Sequence, residues 1–475
     1  MKFAHNLVMD LTHGGVKIAV SLSKEGKKVY AYDIYNTLNE IDRQMLDIYN
    51  VEIIDLTYLQ NLNGSLKVIY PIHLPLTHDE IKQFNPSLNY EFITHHQAVK
   101  EILTDWGSDI PTIEITGVKG KTSSVFMLKE ILIDKNPLIL SSLGAVLCEN
   151  RKEIILKKDI SITPANIKET IDLAYKIANP ICEIAMGKVK SENLKRYGCA
   201  IFESSLGGCC IGDVGLLTNV VENYPIAKNN SDAATAKRQI FNCSIVACEK
   251  ESFDKYYSDI SPSDVNTFSM SDMDADLYLE NVEYSLDETL MKVNFSNIET
   301  VNGKKIAGTM EVETFAPGHH LVSNVLGVIT AALSLEIDCE KIINGLKNYK
   351  GIEGRSNKKI IENSIIIEEI NPGINTSAIK ESINMIKDYE NYYIAIGGDY
   401  GITCEEIDEN KVSHYLDEND CNLILTGDVG KGIYEKMTKK PRFIQDYKKV
   451  YDLSIRNDKN LLFIYRSNYS ELSKR

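Results

Sequence analysis

The chain has no excess of basic residues, no CxxC pair, no long apolar run and only one tryptophan. Each absence excludes something. Lys and Arg total 52 against 67 Asp and Glu, a net charge of −15, so counterion release, the force behind binding to a nucleic-acid backbone, has no source. A local basic pocket for a small anionic substrate stays open. The longest apolar candidate, Val325 to Leu333, is about half of the ~18 residues that span a bilayer, and His5, Asp10 and His13 interrupt any apolar leader. A cytoplasmic protein that binds neither nucleic acid nor membrane is expected. Ten cysteines are present; a chain of this size needs no disulfide staples, so free, mostly buried thiols are expected. Adjacent Cys209 and Cys210 read either as small core residues or as ligands for a soft metal. The nine histidines are scattered. The pairs His95-His96 and His319-His320 lack metal-ligand spacing, and His95-His96 are read as starting a helix or touching substrate.

What remains is a globular composition, 43% hydrophobic and 25% charged, in 475 residues, enough for about three domains. The first segment, residues 1–108, begins with a strand at Asn6–Met9 and a Gly14-Gly15 turn. A helix from Val16 to Lys24 follows, closed by Gly26, and then a strand from Lys28 to Tyr32. Further strands at Val51–Ile54 and Leu66–Tyr70 and a helix around Gln97–Leu103 complete a Rossmann-like α/β unit. Asp33 stands where a ribose-binding acid would, but Asp10-Leu-Thr-His-Gly-Gly15 is not GxGxxG, which favours substrate binding over dinucleotide binding.

The second segment, 109–355, carries the informative motif. A strand at Pro111–Ile115 runs into Thr116, Gly117, Val118, Lys119, Gly120, Lys121, Thr122 and Ser123, after which Val125, Leu128, Ile131 and Leu132 share one helical face. Strand, glycine loop and helix form the context of a phosphate loop. The glycines let backbone N–H groups approach phosphate oxygens, and the helix N-terminus adds partial positive charge. Lys121 reaches the β- and γ-phosphates, and Thr122 offers its hydroxyl to Mg²⁺. ATP and Mg²⁺ are the expected cofactors. The third segment, 356–475, alternates again: a strand at Lys359–Glu369, a helix at Ser377–Lys387, and strands at Tyr392–Ile396, Asn422–Leu425 and Leu461–Tyr465. Glycine–acid loops end two of these strands, as in a parallel sheet whose working edge lies at the strand C-termini.

Taken in order, these motifs resemble those of the Mur ligases, ATP-dependent enzymes with a Rossmann-like substrate domain, a central P-loop ATPase and a Rossmann-like C-terminal domain. Thr116–Thr122 is similar to the family's TGTxGKT. Ile201-Phe-Glu-Ser-Ser-Leu-Gly207 resembles its strand-end glutamate segment, which implies Glu203 as a ligand to Mg²⁺. Leu217-Thr-Asn219 resembles the start of TNxxxDH, and Ala236-Lys-Arg-Gln-Ile-Phe241 a stretch whose lysine, here Lys237, is commonly carbamylated. Gly318-His-His-Leu-Val-Ser-Asn324 resembles the segment that sets an asparagine, here Asn324, against adenine. The resemblance further implies Arg355 as the hinge arginine that reaches the γ-phosphate, Glu369 as the acid near the ribose, and Ile396-Gly-Gly-Asp399 as the third domain's strand end. Two departures stand out: Asn223-Tyr224 replace the family's Asp-His, removing the usual ligand of a second Mg²⁺, and there is no DNPR-like motif for a diamino acid.

Met9-Asp-Leu-Thr-His-Gly-Gly15, Tyr32-Asp-Ile-Tyr35, Glu222-Asn-Tyr-Pro-Ile-Ala227 and Asn371-Pro-Gly-Ile-Asn375 are similar in style to a Mur-like branch of methanogenic archaea. That branch closes a carbocyclic ring on a nickel tetrapyrrole. The resemblance implies a small-molecule substrate whose carboxylate is activated as an acyl phosphate and then attacked by a carbon of the same macrocycle. His13 and Tyr224 are candidates, on position, for the base. Two other readings stay open: a Mur-type peptide ligase adding an amino acid to a UDP-linked pseudomurein precursor, and a nucleotide-binding regulator without catalysis.

Overall fold

The computed structural model describes residues 4–107, 109–178, 196–386, 389–402, 407–419 and 421–472. The chain divides into two compact units, one made of Met1–Asn281, Lys292–Glu311 and Ser323–Leu346, the other of Val282–Met291, Val312–Val322 and Lys347–Arg475.

The first unit opens with five parallel strands, β1 (His5–Met9), β2 (Val29–Tyr32), β3 (Glu52–Ile53), β4 (Ser65–Tyr70) and β5 (Asn89–Thr94), in the order β3-β2-β1-β4-β5. Along β1, Leu7 and Met9 feed one core and Val8 the other. Both faces are covered, so the strand reads as continuously apolar rather than alternating. The helix Val16–Lys24 buries Val16, Ile18, Ala19 and Leu22, and Gly26, at φ +78°, ends it in the left-handed turn that a side chain would disfavour. Strand order reverses between β1 and β4, which opens a crevice at their C-terminal ends.

The same unit holds a second sheet built around the phosphate-loop strand. Its strands include β6 (Thr112–Thr116), β7 (Pro137–Ser141), β8 (Gly144–Glu149), β9 (Lys152–Lys157), β10 (Cys199–Glu203), β11 (Val214–Leu217) and β12 (Ile245–Glu249). Around the phosphate-loop strand the parallel order is β12-β11-β6-β10-β7, continued beyond β12 by the parallel strand Val265–Ser269, with β8 and β9 added antiparallel at the other end. Pairing sets Glu203 beside Ile115 and Leu217 beside Thr116, so the loops after β6, β10 and β11 leave the sheet side by side.

The second unit contains β13 (Arg355–Ile361), β14 (Ser364–Ile370), β15 (Tyr392–Gly398), β16 (Leu423–Thr426), β17 (Arg442–Ile444) and β18 (Asn460–Arg466), ordered β13-β14-β18-β15-β16-β17. All pairs are parallel except β13 with β14. This corrects the expectation of one strand over Lys359–Glu369. The chain reverses at Glu362-Asn363, Ile361 pairs with Ser364, and Glu362 takes φ +53°. Isoleucines on both sides of a turn without glycine had concealed the hairpin. The helix that follows spans Thr376–Ile386; Lys387 lies outside the described residues. Eight cysteines are free thiols and six of them are buried, while Cys182 and Cys404 lie outside the described residues. Among the described residues no helix is long and apolar enough to cross a membrane.

Candidate active site

The phosphate loop is held from behind by the residues that follow β11. The Asn219 carbonyl accepts from Val118 N at 2.9 Å and its side-chain oxygen from Lys119 N at 3.1 Å, while Thr218 Oγ1 donates to the Lys119 carbonyl at 2.6 Å. Leu217-Thr-Asn219 therefore acts as a brace that fixes the loop before any ligand arrives. Gly117 and Gly120 sit at φ +146° and +84°, and a Cβ on Gly120 would run into the Asn324 carboxamide. Gly120→Ala combines left-handed strain with that collision, and the variant should lose about 1–3 kcal/mol of stability, together with nucleotide affinity. Thermal unfolding with and without ATP·Mg²⁺ measures both.

Lys121 opens the helix Lys121–Ile131 and its Nζ donates to the carbonyls of Gly117 (3.0 Å) and Val118 (3.4 Å), curled over the loop that it would serve. Buried Thr122 donates to the Glu203 carboxylate at 3.1 Å, and Ser142 N donates to Glu203 Oε2 at 2.9 Å. A hydroxyl and a carboxylate this close form a hard oxygen pair of the kind that suits Mg²⁺.

Lys237 is not the surface lysine that it resembles in isolation. It ends the short helix Ala233–Lys237, whose Asp232 cap accepts from Thr235 N at 2.8 Å, and it is fully buried. Its Nζ donates to the Ser205 carbonyl at 2.9 Å and lies 5.7 Å from the centre of the Tyr224 ring. Burial, reinforced by the nearby charge of Lys121, pushes its pKa down to about 7. The Tyr224 ring thus walls in the lysine on one side.

Glu114, between Ile113 and Ile115 in β6, was missed in the sequence, although one acid in an otherwise apolar strand is a signal. It is fully buried and accepts from Cys209 N (2.6 Å) and Ile211 N (2.7 Å). Burial raises its pKa against those hydrogen bonds. Glu114 thereby pins the loop that follows Glu203. Cys209 and Cys210 are both buried in that loop, the small-core reading of the pair.

Asn324 is buried against Gly120, over the phosphate loop. In the second unit, Arg355 and Glu369 stand opposite each other in the β13–β14 pair. Burial pushes the Glu369 carboxyl up to about 7 from the ordinary 4.5, opposed by the Ser356 hydroxyl and the charge of Arg355. Between about pH 4.5 and 7 the folded chain then holds a proton that the unfolded chain has released, so stability falls as pH rises through that window. Glu369→Gln should remove this component, seen as a flatter dependence of Tm on pH.

Shortly beyond Glu203, Ser205 and Leu206 line a cavity of about 340 Å³ that is also lined by His13, His73, His95 and His96. His95 and His96 begin the helix His95–Ile102 and also face this cavity. The fold therefore gathers histidines that look scattered along the sequence, and Asp10, His13 and His73 form a cluster of metal-ligating type.

The chain has the fold of the Mur ligases. The MurF ligase of Thermotoga maritima, solved in complex with ADP, shares its fold with a TM-score of 0.53 at 14% identity, covering 89% of this chain and 97% of that one. Residues 358–468 match the family described as coenzyme F430 synthetase CfbE, C-terminal domain. Two relatives matched over nearly the whole length are coenzyme F(430) synthetases. That of Methanocaldococcus jannaschii is 29% identical over 438 residues, 90% of this chain and 91% of the relative. That of Methanosarcina acetivorans is 24% identical over 456 residues, 89% of each.

Proposed function

We propose that this chain is an ATP-dependent ligase with the activity for which its full-length relatives are named, coenzyme F(430) synthesis. In this reading it activates a propionate carboxylate of a nickel tetrapyrrole as an acyl phosphate and closes the last carbocyclic ring, releasing ADP and phosphate. The observation that carries the proposal is the convergence of Lys121, Thr122, Glu203 and a near-neutral buried Lys237 beside the cavity wall at Ser205, in a chain that matches its relatives over about nine-tenths of their length.

Both reactants are anions, so the work of the site is to neutralise charge and hold geometry. Lys121 is assigned to the phosphates, exchanging the Gly117 and Val118 carbonyls for phosphate oxygens. Thr122 and Glu203 are assigned to Mg²⁺, which would supply charge neutralisation of the triphosphate where they hold it. Lys237, as a neutral amine, is suited to add CO₂ and become an anionic carbamate that orients the metal side of the site. Asn324 is assigned to the adenine, Arg355 to the γ-phosphate and Glu369 to the ribose, with backbone N–H groups from Thr116 to Ser123 cradling the phosphates. Attack by a carbon of the same macrocycle needs no amino-acid pocket, which agrees with the missing diamino-acid motif.

The test is ADP release from the full chain with two substrate sets: the ring-open nickel tetrapyrrole alone, and UDP-linked peptides with amino acids. Stimulation by the tetrapyrrole without any amino acid is expected. Stimulation only by the second set would replace the ring-closing reading with a peptide ligase, and none by either would favour a regulator.

A further inference from the structure

Asp10 directly follows β1, and the loop to the helix Val16–Lys24 brings His13 back over it. His73 follows β4, the strand next to β1 across the reversal of strand order, and His95 and His96 follow β5. All four histidines thus leave the C-terminal edge of one parallel sheet at or beside its switch point, the place where this architecture receives ligands. Asp10 is fully buried at φ +66°, a conformation that costs a non-glycine residue about 1–3 kcal/mol, so the fold holds this carboxylate in place against strain. Both oxygens are engaged. Oδ1 accepts from Thr12 N at 3.0 Å; Oδ2 lies 2.7 Å from His13 Nδ1 and 3.3 Å from His73 Nε2.

Resting on the functional reading above, we propose that His13, oriented by Asp10, is the general base that removes the carbon-bound proton of the attacking centre in the cavity shared with Ser205 and Leu206. With Nδ1–H committed to the carboxylate, Nε2 is left as the basic nitrogen. Asp10 fixes the tautomer and ring plane and stabilises the imidazolium that forms. The carbon–hydrogen pair becomes the new carbon–carbon bond to the acyl carbon. The acyl carbon–oxygen bond breaks and its electrons leave with phosphate. The proton passes to His13 Nε2 and then to water. Tyr224, the other candidate, is taken up against Lys237.

The hydrogen bond to Asp10 raises the pKa of His13 above its ordinary 6.5, against partial burial. Burial would disfavour ionised Asp10, but hydrogen bonds from His13 and His73 outweigh it and hold its carboxyl low. The other groups around His13 are Tyr35, whose ring meets it edge-on at 5.9 Å, His73 at 4.6 Å between ring centres, and His95. Burial keeps His95 neutral, with a pKa down to about 4, and its Nε2 donates to the Met9 carbonyl at 2.9 Å.

The experiment separates activation from ring closure. Full-length wild type, His13→Asn and His13→Gln are mixed with ATP·Mg²⁺ and the ring-open nickel tetrapyrrole. Acyl phosphate is trapped with hydroxylamine, and ring-closed product is followed by mass, lighter by one water. Hydroxamate formation should persist in both variants while ring closure falls about 10²–10⁴-fold. Asp10→Asn should shift the acid limb of the closure rate to lower pH, because His13 loses its anionic neighbour; an unshifted limb would remove Asp10 as the positioning residue. Ring closure at the wild-type rate in His13→Gln, or equal loss of hydroxamate and product in variants with wild-type Tm, would overturn the base assignment. So would a stoichiometric Zn²⁺ or Co²⁺ retained by the protein and lost in His73→Ala, because a metal on Nδ1 would displace the proton that Asp10 holds. Wild type that yields neither hydroxamate nor ring-closed product would instead reject the functional reading.

Discussion

Lys121→Ala will lower substrate-stimulated ADP release by about 10²–10³-fold, the scale of losing one preorganised charge from a phosphoryl-transfer site, while leaving the fold intact. The structure separates these two effects. The Lys121 ammonium touches the loop's own carbonyls at Gly117 and Val118, and the loop's shape is fixed independently by Thr218 and Asn219. Removing the side chain therefore takes charge from the phosphates without loosening what positions them. Tm in the absence of nucleotide should move by no more than a few degrees, the response of a domain of this size to less than about 1 kcal/mol. The stabilisation that wild type gains from ATP·Mg²⁺ should largely disappear. A variant that unfolds without nucleotide, or that still turns over at the wild-type rate, would remove Lys121 from the mechanism.

The parts of this site that were legible in the sequence are those whose chemistry is local. The phosphate loop, its preceding strand and its helix fall within some twenty consecutive residues, and Thr116 to Ser123 occupy the expected strand-to-helix corner. Glu203 was readable as an acid ending an apolar strand, and strand pairing sets it beside that corner. Other features depend on tertiary context. Nothing near Lys237 in the chain announces a fully buried amine; the Ser205 carbonyl and the Tyr224 ring that enclose it come from other loops. His73 lies sixty residues from His13, and their meeting over Asp10 follows from the adjacency of β1 and β4, a property of strand order that spacing does not encode. The scattered histidines were for that reason read as forming no metal site of their own. The β13–β14 hairpin was missed for a different reason: hydrophobicity on both sides of Glu362-Asn363 reads as one strand when the turn lacks glycine.

Lys237→Met is the second large effect, and it also tests the state of the lysine. Protonated, this side chain would be a charge fully buried beside the cation of Lys121, an arrangement with a high desolvation cost. A pKa near 7 leaves a large neutral fraction at physiological pH, and only the neutral amine adds CO₂. Turnover should therefore fall about 10²-fold in Lys237→Met. Wild type stripped of bicarbonate should fall toward the variant and recover when bicarbonate returns, the recovery growing as pH rises through about 7. Protein equilibrated with ¹³CO₂ should show one carbamate carbon resonance absent from the variant; no such resonance, with activity indifferent to bicarbonate, would refute the carbamate. Stability gives an independent sign. In CO₂-free buffer the unfolded chain binds a proton at this position up to its ordinary 10.5, whereas the folded chain has lost it above about 7. Wild-type stability should then gain a component that rises with pH across that interval, and Lys237→Met, with no amine to titrate, should lack it. A wild type whose Tm follows the same pH course as the variant would mean that the amine stays charged inside the fold, and the carbamate would then lose its chemical basis.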